Sequence, residues 1–160
     1  MMAGRADDSP LPPDLGPTAV LIVAAPYHRR VTDLLLLGAE RVLRAADASV
    51  SIVEVPGALE IPPAIAMASR SGQFSAFVAL GCVIRGETSH YDLVAGESCR
   101  GLVELGTRER LAIGNGILTV DNLAQALERA DPDRLDKGGH AARAALALAA
   151  LSRRFSGSTN

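Results

Sequence analysis

Four short apolar runs separated by longer amphipathic stretches constrain this chain more than any other feature. The runs are Thr18–Ala25 (TAVLIVAA), Val50–Val55 (VSIVEV), Ser75–Ile84 (SAFVALGCVI) and Leu111–Thr119 (LAIGNGILT). They have strand length, and most are nearly continuous in Val, Ile, Leu and Ala, as strands buried on both faces are. Ser51 and Glu54 mark the second run as lying near a sheet edge. Gly114 and Gly116 mark the fourth as a place where another backbone or a ligand comes close.

The stretches between them carry helical periodicity. From Val31, VTDLLLLGAERVLRAA offers Leu34, Leu35, Leu37, Ala39 and Val42 as its inward side. LEIPPAIAMASRS follows the Pro56-Gly57 turn with prolines in its opening turn, where a missing N–H is tolerated, and Gly72 ends it. Further helices are predicted from His90 to about Gly106, over NLAQALERA after a cap at Asp121, and from Lys137 to Arg154. The order β-α-β-α-β-α-β-α-α predicts a three-layer α/β fold, a four-stranded parallel sheet with right-handed crossovers and helices on both faces.

With 160 residues the chain is the size of one domain, expected over residues 18–156 with flexible ends at 1–17 and 157–160. The formal charge of -2 gives no basic excess for a nucleic-acid backbone or an anionic membrane. The N-terminal MMAGRADDSPLPPDLGP has no apolar signal region, and no run reaches membrane-spanning length, so a cytoplasmic protein is expected. Cys82 and Cys99 lack metal-type spacing and form no disulfide framework; both read as reduced core residues. His28 and His140 are far apart in sequence, so no metal site is expected from them.

In such sheets ligands collect outside the carboxyl ends of the strands. That topology would bring Tyr27, the Gly57-Ala58-Leu59-Glu60 turn, Val83 to His90, and Asn115 to Ile117 to one rim. The third run is the centre of interest. It breaks into Arg85-Gly86-Glu87-Thr88-Ser89 and then His90 at a helix start, so backbone N–H groups and a helix dipole meet where a phosphate would fit. His90 is then either a solvated or cap-bonded side chain or a proton carrier beside an anion seat. Tyr27 is either a surface tyrosine or a flat ring for a planar ligand. Glu60 either complements a helix dipole or accepts hydrogen bonds from ligand hydroxyls. Arg129 and Lys137 are surface charges or, for the arginine, a phosphate contact; Arg85 is favoured for an internal or interface ion pair.

Four segments, VPGALEIP (Val55–Pro62), LGCVIRGETSHYDLV (Leu80–Val94), GILTVDNLAQALERA (Gly116–Ala130) and KGGHAARAAL (Lys137–Leu146), together closely resemble the 6,7-dimethyl-8-ribityllumazine synthase family. The resemblance spans nearly all of the chain after residue 17 and implies a flavodoxin-like sheet. It also implies a cofactor-free condensation of 5-amino-6-ribitylaminouracil with 3,4-dihydroxy-2-butanone 4-phosphate, releasing phosphate and water. By position, Tyr27 would stack on the pyrimidine, Ala58, Leu59 and Glu60 would hold the ribityl chain, and Val83 and Ile84 the pyrimidine edge. Glu87, Thr88 and Arg129 would bind phosphate, Lys137 would lie near the site, and His90 would be the acid/base.

Two positions depart from the family pattern. Asn115 stands where many members close the ring pocket with an aromatic, and His28 where asparagine is common, so both contacts with the ligand are expected to differ. The family's sites lie between subunits of a pentamer, and the bulky, proline-containing Ala130–Asp136 turn points to a free pentamer rather than a shell. A weakly active paralogue that mainly binds lumazine or riboflavin is the alternative. A receiver would need an acidic pair after the first strand and a flavodoxin a Ser/Thr-rich loop; Ala24-Ala25-Pro26-Tyr27 supplies neither.

Overall fold

Strand β1 (Ala19–Ala24) lies between β2 (Ser49–Glu54) and β3 (Ala76–Ile84), and β4 (Ile113–Val120) lies beyond β3. All pairs are parallel, giving the order β2-β1-β3-β4. The structure, a computed structural model, describes residues 8–157. Five helices connect and flank the strands: α1 (Arg29–Ala45), α2 (Ile61–Ser69), α3 (His90–Arg108), α4 (Leu123–Ala130) and α5 (Lys137–Ser156). This is the three-layer α/β fold read from the alternation of runs. As expected, β2 is an edge strand, and it is exposed along most of its length.

Strand alternation divides the core in two. Val20, Ile22, Ala24, Val78, Leu80 and Leu118 point to the side covered by α1, α4 and α5. Leu21, Val23, Phe77, Ala79 and Ile117 point to the other side, against Ile61 and Ile65 of α2 and Leu102 of α3. The first side is closed by backbone-to-backbone approach. A Cβ on Gly138 would fall onto the Leu35 carbonyl, and one on Gly114 onto the Ala141 carbonyl. The strand glycine therefore admits α5 rather than a ligand.

Several local expectations are corrected. Leu37 is 45% exposed, because the buried stripe of α1 runs through Leu35, Gly38, Ala39 and Val42. The cap of α4 is Asn122, whose side chain accepts the Gln125 N–H at 2.9 Å, while the Gln125 side-chain oxygen, Oε1, accepts the Asp121 N–H at 2.8 Å. Helix α2 begins at Ile61 after a 3-10 turn at Ala58–Glu60. Cys82 is buried, but Cys99 only partly so; both are free thiols. Of the segment expected as an N-terminal tail, residues 8–17 lie along α5, with Leu15 buried and Leu11 against the core. Arg143 donates to the Ser9 carbonyl and Arg153 to that of Pro17. Residues 1–7 and 158–160 are outside the described residues. Among the described residues no helix is long and apolar enough to cross a membrane.

Candidate active site

Three adjacent strands deliver most of the candidate residues to one rim. After β1, Pro26–His28 forms a 3-10 turn that leaves Tyr27 81% exposed, its ring edge-on to His28 at 5.0 Å. After β2, the Ala58–Glu60 turn buries Ala58 and presents Leu59 and Glu60 outward. Val83 and Ile84 are the last, half-buried residues of β3. The sheet ladder then ends with the Arg85 N–H donating to the Val120 carbonyl at 2.8 Å.

The turn beyond it, Gly86 to Ser89, is exposed, and α3 starts at His90. Thr88 Oγ1 accepts the His90 N–H at 3.3 Å. A hydroxyl that accepts in this way keeps its own hydrogen for a further acceptor. Ser89 makes no side-chain cap, so the positive end of a 19-residue helix faces outward beside Glu87, Thr88 and His90. Arg85 is occupied within the chain. Its guanidinium reaches Asp121 at 3.3 Å and Asp92 at 3.8 Å and lies 4.3 Å from the Tyr91 ring centre. It ties the start of the turn to α3 and to the end of β4, the internal one of the two ion-pair alternatives read from sequence.

Asn115 does not join that rim. It pairs with Ala79 in the middle of the sheet, while the ladder continues to Ile84 opposite Val120. At strand rise, five residues separate it from the rim by ~16 Å. On edge strand β4 its side-chain amide donates to Cys99 Sγ of α3 at 3.5 Å, and the residue also borders a cleft of about 440 Å³ along β4 and α5, together with Thr119, Arg129, Lys137 and His140. Arg129 is held there by its own helix, donating to the Gln125 carbonyl at 3.3 Å. Lys137 opens α5 just after Asp136, which caps the helix from a left-handed φ of 46° by accepting the Gly139 N–H at 3.1 Å. Burial pushes the Asp136 carboxyl above the usual range, against the pull of that N–H and of His140, Arg143 and Arg41.

The candidates therefore form two groups in one chain. The rim holds Tyr27, His28, Ala58, Leu59, Glu60, Val83, Ile84, Glu87, Thr88 and His90. The cationic cleft holds Asn115, Arg129 and Lys137. Sequence reasoning missed Thr119 and His140 as members of the cleft; the signal for His140 was its three-residue spacing from Lys137 on one helix face. A larger cleft of about 670 Å³ between α1 and α4 contains none of these residues. Among the described residues, no cluster of His, Cys, Asp and Glu is arranged to hold a metal ion.

The sequence from residue 17 to 153 matches the family model described as 6,7-dimethyl-8-ribityllumazine synthase. Proteins of that name from Methylobacterium radiotolerans, Sphingopyxis alaskensis and Methylocella silvestris are 52%, 57% and 58% identical to this chain. The alignments cover 96%, 85% and 84% of this chain and 94%, 96% and 85% of those relatives, respectively. The sheet order, the turn before His90 and these similarities agree, and the chain belongs to the 6,7-dimethyl-8-ribityllumazine synthase family.

Proposed function

We propose that this chain catalyses the condensation of 5-amino-6-ribitylaminouracil with 3,4-dihydroxy-2-butanone 4-phosphate to 6,7-dimethyl-8-ribityllumazine, in riboflavin biosynthesis. The observation that carries the reading is the rim itself, where an exposed imidazole sits one helical residue past a hydroxyl-bearing turn at a helix N-terminus. Imine formation between amine and ketone, elimination of phosphate and ring closure with loss of water each move protons. One imidazole beside the reacting atoms can take and return them, which is worth ~10²–10⁴ in rate. Holding the two substrates together contributes as much or more.

In this reading Tyr27 stacks on the pyrimidine, Leu59 and Glu60 hold the ribityl chain and Val83 and Ile84 meet the ring edge. The backbone around Glu87, the Thr88 hydroxyl and Arg129 bind the phosphate, which both orients the substrate and stabilises the leaving group. No cofactor or metal enters any of these steps. Asn115, in place of an aromatic, offers the ring a hydrogen bond instead of a second stacking face, and His28 alters the ribityl contacts.

A shared site follows from the division of the residues. The cationic cleft opens along edge strand β4 and α5 rather than on the loops after β1, β2 and β3, so in this reading one copy's cleft faces a neighbour's rim. The two surfaces differ, which makes the contact head-to-tail, and contacts of that kind form a ring when the rotation between copies closes. Exposed apolar side chains occur on both flanks: Ile52 and Val53 on edge strand β2, and Val103 and Leu148 beside β4. The ring we propose is a pentamer. The Ala130–Asp136 turn is bulky and contains Pro132, which is buried, and this resists the small glycine-bearing turn of a shell and favours a free pentamer. Two free thiols suit a cytoplasmic setting. Steady-state assay with both substrates tests the activity. Lumazine formation lost in His90→Ala with ligand affinity largely kept is the expected result; tight lumazine binding without turnover in the wild type would contradict it.

A further inference from the structure

The cationic cleft contains a residue that the condensation as described does not use. Lys137, His140, Ala141 and Ala144 recur at intervals of three and four along α5, so they form one stripe. That stripe is a wall of the 440 Å³ cleft that also holds Arg129 and Thr119. His140 is half-buried there, on the same wall as Lys137 and across from α4.

The charged groups around it come from several elements. Arg129 comes from α4, and Lys137, Asp136 and Arg143 from α5, with Asp136 within electrostatic reach of His140. Arg41 of α1 also acts on Asp136. From β4 the cleft receives residues 115–119, all uncharged, and the segment Ser9–Pro12, which flanks His140 on its other side, is uncharged too. The cleft thus gathers a planar fork, a point charge and an imidazole, without a carboxylate among its lining residues. A phosphate has three outer oxygens. Arg129 and Lys137 supply a fork and a point charge, whereas an imidazole is the side chain whose charge changes near neutrality, and it donates from both ring nitrogens when charged.

We propose that His140 is a third, pH-dependent contact for the phosphate of the four-carbon substrate and helps set specificity for it. The proposal rests on the shared-site reading above, since this cleft must face the phosphate turn of a neighbouring copy. Its consequence is selective: affinity for the phosphorylated substrate gains a contribution below the imidazole pKa that affinity for the pyrimidine lacks.

The test compares wild type with His140→Gln and His140→Ala, using sulfate as the probe because it stays a dianion from about pH 6 to about pH 8.5, the range in which an imidazole titrates. Sulfate binding is read by calorimetry, and KM for each substrate by steady-state assay. The expected ratio of variant to wild-type sulfate Kd is several-fold at the acid end and approaches one at the alkaline end. KM for the butanone phosphate should follow that ratio while KM for the pyrimidine stays within about twofold. A ratio that does not change with pH, or equal shifts in both KM values, overturns the proposal. So does loss of assembly in both variants by light scattering, which would assign His140 to packing against Ser9–Pro12. Sulfate binding is measured without turnover, so an inactive wild type would count against the condensation reading while the role of His140 is still decided.

Discussion

Helices α3 and α5 have nearly the same length, 19 and 20 residues, and opposite relations to the rest of the chain. Helix α5 buries Gly138, Gly139, Ala141, Ala142, Ala145, Leu146 and Ala149 and approaches α1 and β4 down to backbone contact. Helix α3 buries only Ser98 and Leu102, and leaves Leu93 62% and Val103 63% exposed. A long helix gains most of its stability from burying an amphipathic face. The first helix finds that face within its own chain, while the second presents apolar side chains outward and carries His90 at its start. The contrast separates the work of the two sides of the sheet. The α5 side holds the fold, while the α3 side leaves apolar side chains exposed and starts at the turn that carries His90.

The largest effects are expected where α5 meets backbone. Gly138→Val would drive a branched side chain into the Leu35 carbonyl, and overpacking costs ~1–3 kcal/mol, more where the neighbour is backbone that cannot give way. Little soluble protein is expected, and a thermal melt like that of the wild type would show that the two helices are not fixed as described. Leu146→Ala, at a fully buried position, should cost ~2–5 kcal/mol in denaturant unfolding.

On α3 the effect should appear in mass rather than in fold. Leu93→Asp with Val103→Asp is expected to lower the assembled mass seen by light scattering while far-UV circular dichroism is retained. Exposed substitutions of this type usually change stability by only ~0.5 kcal/mol. If the double variant unfolds and Leu146→Ala does not, the contrast is reversed.

A smaller effect sharpens the picture of the α5 start. Because burial raises the Asp136 carboxyl, its folded pKa lies above its unfolded value, and ionisation opposes folding. That penalty is absent well below the unfolded pKa and grows as pH rises through the folded one. Asp136→Asn keeps an N-cap acceptor and tolerates the left-handed φ. It should therefore be more stable than wild type at neutral pH, with the difference vanishing near pH ~3, below the ordinary aspartate value. A difference that persists unchanged at that pH would contradict the assigned cause. Burial likewise pushes the Cys82 thiol up to about 11, so alkylation near neutral pH should label the less buried Cys99 first.

Much of this was legible in the sequence because it rests on local signals. The strand lengths, the Pro-bearing start of α2 and the break after Ile84 are properties of neighbouring residues. The errors came where tertiary context decides. Four consecutive leucines on α1 do not say which faces inward; Gly38, chosen for the close approach of Asp136 and Gly139, fixes the stripe and leaves Leu37 outside. Asp121 and Asn122 are both good caps, and the Gln125 side chain selects between them. The placement of Asn115 failed because register is set by pairing with Ala79, which no feature of LAIGNGILT reveals. For the candidate site, topology sufficed for the rim at β1, β2 and β3, whereas the cleft arises from packing of α4 and α5 against the β4 edge.

The central claim is that one copy's His90 works with another copy's Arg129. His90→Ala and Arg129→Ala, each nearly inactive alone, should be unfolded together in equal amounts and refolded into mixed assemblies. In a head-to-tail ring with random order, about a quarter of the interfaces would pair an intact rim with an intact cleft. Recovery of about that fraction of wild-type lumazine formation is the expected result. Mixed assemblies verified by mass, yet no more active than the two variants assayed separately, would contradict it.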